Sequence, residues 1–169
     1  MSKQLVLMRD IIIKHHPRFR RSQVLRREGL KDPLNFNIER LVEQSLAELG
    51  TYDFIDAHHA DYSDGSDCKT ASIRVNPVKQ GHRSYGGEIT GVETAGGGRK
   101  QGALRCIIYN PHKDSLKYYF LPKSWWEYNI TIHPSSGVGK IVYTYHEPYD
   151  HIVKFHGYEC ESFEQLARA

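Results

Sequence analysis

Residues 60–70 read Ala-Asp-Tyr-Ser-Asp-Gly-Ser-Asp-Cys-Lys-Thr and bring Asp61, Asp64, Asp67 and Lys69 into one short stretch. Carboxylates that meet repel one another unless a cation lies between them. A hard divalent cation with oxygen ligands is the natural occupant of such a place. A lysine beside it adds a fixed positive charge to the group. The chemistry suggested by these residue types is the binding of a hard divalent cation between carboxylates.

The local elements must bring these side chains together. Residues 53–59 and 71–75 each read as a strand flanking a hairpin, with Ser63-Asp64-Gly65 as the loop. A three-residue loop ends in a left-handed residue, and Gly65 stands where that residue is needed. If Tyr62 and Ser66 close the loop, Asp61 faces Asp67 directly, with Cβ atoms about 4.5–5.5 Å apart. Strand alternation then puts Lys69 on the face of Asp67. A two-residue Asp64-Gly65 turn is the competing register and would separate Asp61 from the other two. Asp56 is an alternative first carboxylate if a bulge intervenes, and Asp64 is assigned to the turn. His58 and His59, as neighbours in a strand, are expected on opposite faces.

Ahead of the hairpin, Ile38, Leu41, Val42, Leu46 and Leu49 follow helical spacing. Asn37 is a suitable N-cap and Gly50 a stop. Glu39 and Glu43 lie one turn apart at the edge of that apolar stripe.

Asp61, five intervening residues and then Asp67-Cys68-Lys69 resemble the signature of the PD-(D/E)xK nuclease superfamily, which includes many type II restriction endonucleases. The resemblance spans residues 37 to 75, with Ala60 standing where the motif has proline. It implies that Asp61 and Asp67 bind Mg2+, for which Mn2+ may substitute, with the Cys68 carbonyl as a third protein ligand. It implies that Lys69 assists the attacking water. It also implies that a helical acid, Glu43 or Glu39, joins the site. The activity implied is endonucleolytic hydrolysis of double-stranded DNA by a homodimer, most concretely a type II restriction endonuclease.

Composition agrees with a single domain: 169 residues, 25% charged and 39% apolar. No apolar run approaches membrane-spanning length, and the start lacks a signal-peptide core. Three scattered cysteines, Cys68, Cys106 and Cys160, argue against a disulfide framework and for a reducing, cytoplasmic-type compartment. Residues 1–31 hold nine Lys or Arg against two acids, a local +7 in a chain whose net charge is +3. Arg18, Arg20 and Arg21 lie in that run, and residues 94–102 form a glycine-rich basic loop with Arg99 and Lys100. Both are candidate phosphate contacts. The loop lacks the lysine-hydroxyl pair of a nucleotide-binding P-loop.

The remaining pattern predicts a helix within 3–16, strands at 103–109 and 116–121, and a short helix from 122. Strands follow near 130–133, 139–145 and 152–155, then a terminal helix within 161–169. Trp125 and Trp126 read as core. The fold class expected is α+β (α/β), one domain with a central mixed sheet flanked by helices. A basic helical region (1–34), a catalytic core (35–130) and a β-rich extension (131–169) make up the chain. Two other readings are open: a non-catalytic nucleic-acid-binding protein, and a histidine-metal (HNH-type) nuclease built on His58, His59 and His112.

Overall fold

A computed structural model describes residues 38–76, 84–93, 100–110, 115–145 and 152–169. The predicted N-terminal helix, the cap residue Asn37, and Arg18, Arg20, Arg21, Arg99 and His112 lie outside these residues. The chain is an α+β domain.

Helix α1 spans Ile38–Gly50, where the apolar spacing places it. It is followed by β1 (Phe54–Ala57), β2 (Ala60–Tyr62), β3 (Asp67–Ser72), β4 (Arg74–Asn76) and β5 (Ser84–Glu93). Then come β6 (Leu104–Asn110), β7 (Ser115–Leu121), the short helix α2 (Lys123–Trp126), β8 (Thr131–Ile132) and β9 (Gly139–Tyr145). A 3-10 turn (Val153–Phe155), β10 (Glu159–Cys160) and α3 (Phe163–Arg168) end the described chain. Ser162 caps α3 by accepting from the Gln165 N–H (3.0 Å).

The expected single central sheet is instead two four-stranded sheets, with β1 and β2 as a separate two-stranded pair. One is mixed, in the order β10-β7-β6-β3, with β3 parallel to β6 and the other pairs antiparallel. The other is antiparallel, in the order β4-β5-β9-β8. The mixed sheet is covered on one face by α1 and α3 and on the other by the second sheet. Alternation along β6 shows this: Leu104, Cys106 and Ile108 enter the core shared with Ile89, Ile141 and Tyr143, while Ile107 joins Val42, Leu46, Phe163 and Leu166. The expected 71–75 strand is split at buried Ile73, so that β3 stays in the first sheet and β4 starts the second.

Of residues 152–155, expected as a strand, Val153–Phe155 form the 3-10 turn and Ile152 precedes it in extended conformation. Ile152 and Phe155 are buried while Val153 is 51% exposed. Burial therefore recurs at a spacing of three rather than two. Trp126 is core, as expected, and its indole N–H donates to the Gly102 carbonyl (3.0 Å).

Arg105 sits on β6 on the helix-covered face and is 1% exposed. Its Nε donates to Ser66 Oγ (3.1 Å), its Nη2 to Asp64 Oδ2 (2.8 Å) and to the Ala169 carbonyl (3.0 Å), and its Nη1 to the Leu166 carbonyl. The guanidinium also lies over the rings of Tyr52 (4.6 Å) and Phe120 (5.0 Å). One cation thus joins the 63–66 turn, the rings of Tyr52 and Phe120, and the terminal helix. Removing a buried, fully bonded charge leaves its acceptors unpaired. Arg105→Met is therefore expected to lower the unfolding free energy by about 3 kcal/mol, measured by urea titration. A loss below about 0.5 kcal/mol would show that the turn and α3 hold without it.

Candidate active site

The 60–70 stretch folds as a turn between two strands, though not as the expected ladder. Gly65 N–H donates to the Tyr62 carbonyl (2.9 Å), and the Asp61 and Tyr62 N–H groups both reach the Ser66 carbonyl (3.1 Å each). Gly65 adopts φ +86°, the left-handed value the loop requires. Tyr62 and Ser66 therefore close the loop as expected. Asp64 belongs to the turn: its Oδ1 accepts from the Ser66 N–H (2.9 Å) and hydroxyl (2.5 Å), and its Oδ2 pairs with Arg105. These bonds hold its carboxyl below the ordinary range, against the opposing effect of burial.

Beyond the turn the strands part. β2 pairs backward with β1 (Phe54 opposite Tyr62, Ala57 opposite Ala60), and β3 pairs forward with β6. The expected strand over 53–59 is thus cut short. His58 and His59 form the β1–β2 turn, both exposed, with their rings edge-on at 4.9 Å rather than on opposite faces. Asp56, at φ +48°, is exposed and paired with Arg40 (2.6 Å).

Asp61 and Asp67 nevertheless meet, by a different contact from direct strand opposition. Asp61 Oδ2 accepts the Cys68 N–H (2.9 Å), so the carboxylate lies along the open edge of β3. Asp67 N–H donates inward to the Ala103 carbonyl (2.9 Å). The N–H and C=O of one strand residue point the same way, and neighbouring residues alternate. The Cys68 carbonyl therefore shares the edge where Asp61 lies. The Cys68 thiol is buried in the helix-side core with Val42 and Leu46, and burial pushes its pKa well up. Any contribution of Cys68 to a site is thus through its backbone.

Asp67 and Lys69 share the other face of β3, as alternation predicts, and look toward the second sheet. Asp67 is 1% exposed. Its Oδ2 stands 3.1 Å from Lys69 Nζ, which also donates to the Gly91 carbonyl of β5 (3.3 Å). Its Oδ1 stands 3.1 Å from Lys100 Nζ without the alignment of a hydrogen bond. Lys100, read from the sequence as a phosphate contact in a basic loop, is here a neighbour of the buried carboxylate. Its charge was visible in the sequence. Its placement follows from the loop closing on the hairpin, where Gln101 N–H donates to the His59 carbonyl (2.9 Å). Gly102 lies so close to the turn that a Cβ there would come within 2.5 Å of the Gly65 carbonyl oxygen.

Glu43 comes from α1. The buried Tyr62 hydroxyl donates to the Glu43 carbonyl (2.9 Å) and fixes that turn of the helix over β2. Burial, with Asp61 and Asp56 nearby and Arg40 opposing, pushes the Glu43 carboxyl up to about 7. Burial and the Asp67 carboxylate push Asp61 up to about 6, against the Cys68 N–H. Glu43, Asp61 and Asp67 thus form one electrostatic group. Glu39 lies in the first turn of α1. Among the described residues, no three His, Cys, Asp or Glu side chains are grouped to hold a metal ion. The donors expected here are two carboxylates and one backbone carbonyl, hard oxygens suited to magnesium or manganese.

Comparisons with protein-family models and with curated proteins find no match to this chain.

The raised carboxyls link stability to pH. Ordinary values are 3.8 for Asp61 and 4.5 for Glu43, and the folded values are about 6 and about 7. A raised value means that the folded state binds the proton more tightly. The resulting stabilisation is complete below the ordinary values and is lost as pH rises through the folded ones. In EDTA the unfolding free energy should therefore fall between about pH 4 and pH 7 from these groups. Asp61→Asn should flatten that fall and gain about 1 kcal/mol at pH 8, since one unit is worth about 1.4 kcal/mol and the site is only half buried. Urea titrations across pH check this, and an unchanged slope in Asp61→Asn would refute it.

Proposed function

We propose that the chain is a metal-dependent endodeoxyribonuclease of the PD-(D/E)xK type, most concretely a sequence-specific type II restriction endonuclease acting as a homodimer on double-stranded DNA. The observation that carries this reading is the convergence of Asp61, Asp67 and Lys69 at the start of β3. Asp67 and Lys69 share a face, and Asp61 is held on the adjacent edge by the Cys68 N–H.

Asp61, Asp67 and the Cys68 carbonyl would hold magnesium, which when bound lowers the pKa of a water and stabilises charge on the phosphorane. Lys69 would orient the attacking water and stabilise negative charge, its ammonium kept in place by Asp67 and the Gly91 carbonyl. Glu43 would be the further acid that the preceding helix supplies to the metal site, its carboxyl raised by burial and by the nearby aspartates. Arg18, Arg20, Arg21 and Arg99, with the N-terminal basic run, would supply the backbone contacts on DNA. The three cysteines fit a reducing, cytoplasmic compartment. No helix among the described residues is long and apolar enough to cross a membrane.

Supercoiled plasmid and phage DNA incubated with protein and Mg2+ should give discrete fragments, and EDTA should abolish them. Asp67→Ala and Lys69→Ala should each reduce the cleavage rate by about 100-fold or more. A smear with the same metal dependence would keep the nuclease and remove the restriction reading. Salt-sensitive DNA binding without cleavage in all proteins would replace the proposal with a non-catalytic binding module. Activity that survives Asp67→Ala and is lost in His58→Ala or His59→Ala would replace it with a histidine-metal nuclease.

A further inference from the structure

We infer that Lys100 is the resident counter-cation of Asp67: its ammonium occupies the Oδ1 side of the carboxylate until a divalent cation takes that oxygen, and it thereby sets the affinity of the site for metal. The inference rests on the metal-dependent reading above and goes beyond it, since it gives a role in loading to a residue outside the Asp61–Lys69 signature.

Asp67 is almost wholly enclosed, and an ionised carboxylate in such a place needs opposite charge. Its two oxygens are held differently. Oδ2 faces Lys69, which is fixed on the same strand and anchored again at the Gly91 carbonyl. Oδ1 is buried and makes no hydrogen bond, and Lys100 Nζ meets it by charge alone at 3.1 Å. A buried carboxylate oxygen with no aligned donor is the oxygen most readily given to another cation.

Lys100 is built to yield it. Its backbone is pinned, with its N–H donating to the Val92 carbonyl (3.1 Å) and the next N–H to the His59 carbonyl. The ammonium stands at the end of a flexible four-carbon stem. It holds one further contact, the His58 carbonyl at 3.3 Å, on the exposed β1–β2 turn. The head group can therefore move while the backbone stays. An ammonium and a divalent cation on one oxygen repel each other, so binding of the second costs the first. The carboxylates of Glu43, Asp61 and Asp67 attract the incoming ion, and Lys69 and Lys100 oppose it. Of these two ammoniums, only Lys100 stands on the oxygen free of hydrogen bonds.

Calorimetric titration of Mn2+ into the full-length protein tests this, with thermal unfolding to show that each variant is folded. Lys100→Met should bind Mn2+ about tenfold more tightly than the wild type. Lys100→Arg, which keeps the charge, should stay near the wild type. Affinity that is equal or weaker in Lys100→Met overturns the inference. Asp67→Asn separates the two levels of the argument. If Mn2+ binds the wild type and is lost in Asp67→Asn while Lys100→Met changes nothing, the metal-dependent reading stands and the role of Lys100 falls. If Mn2+ binds none of the proteins, both fall. Should Lys100→Met not fold, Lys100→Gln, which can still donate to the His58 carbonyl, is expected to show the same tightening.

Discussion

The arrangement depends first on one buried cation. Arg105 sits in a strand among buried Leu104, Cys106, Ile107 and Ile108, and it spends its donors on the Asp64 carboxylate, the Ser66 hydroxyl and two carbonyls at the end of α3. A guanidinium suits this because its planar fork serves several acceptors at once and its faces stack on Tyr52 and Phe120. The turn between Asp61 and Asp67 is thereby tied to the sheet from below. The acidic residue nearest the tip, Asp64, is neutralised there and takes no part in the group above. Two aspartates are left for the site, and the third holds the scaffold.

On that base, the site is built by strand geometry and not by a regular hairpin. β3 offers two directions: its side chains face the second sheet, and its free edge faces β2. Asp67 and Lys69 use the first, while Asp61 reaches the second through the Cys68 N–H. The second sheet takes part through the Gly91 carbonyl, which steadies Lys69, and the Val92 carbonyl, which holds the Lys100 backbone. The helix takes part through Glu43, held over β2 by the Tyr62 hydroxyl. Asp61 from β2, Asp67 and Lys69 from β3 and Glu43 from the helix thus share a small volume, and the mutual repulsion of the carboxylates is balanced by Lys69 and Lys100.

Much of this was legible in the sequence where the signal was local. The α1 stripe, the Gly65 turn, the shared face of Asp67 and Lys69, and strands β6, β7 and β9 all follow from periodicity and turn chemistry. What sequence reasoning missed was long-range. Nothing in residues 53–59 shows that β2 turns back at His58-His59 to pair with β1, or that Ile73 is the point where the chain changes sheets. Lys100 read as one more basic loop residue because its position depends on a contact with the turn 42 residues earlier at His58. Arg105 did carry a signal: a lone charge within the apolar run 103–109 must be either exposed or well paired. In a central strand only the second is open.

The parallel pairing of β3 with β6 has a kinetic side. Two adjacent strands of the mixed sheet are separated in sequence by β4 and β5, both of which belong to the other sheet. The pairing closes a long loop before it gains any contact, and such closures are slow. β6 and β7 can zip as a local hairpin, and β1 with β2 as another, ahead of it. Asp67 is tied through its N–H to the Ala103 carbonyl just before β6, so its setting in the carboxylate group depends on this long-range pairing. The site is therefore completed by a contact of high sequence separation, although its signature residues are neighbours in the chain.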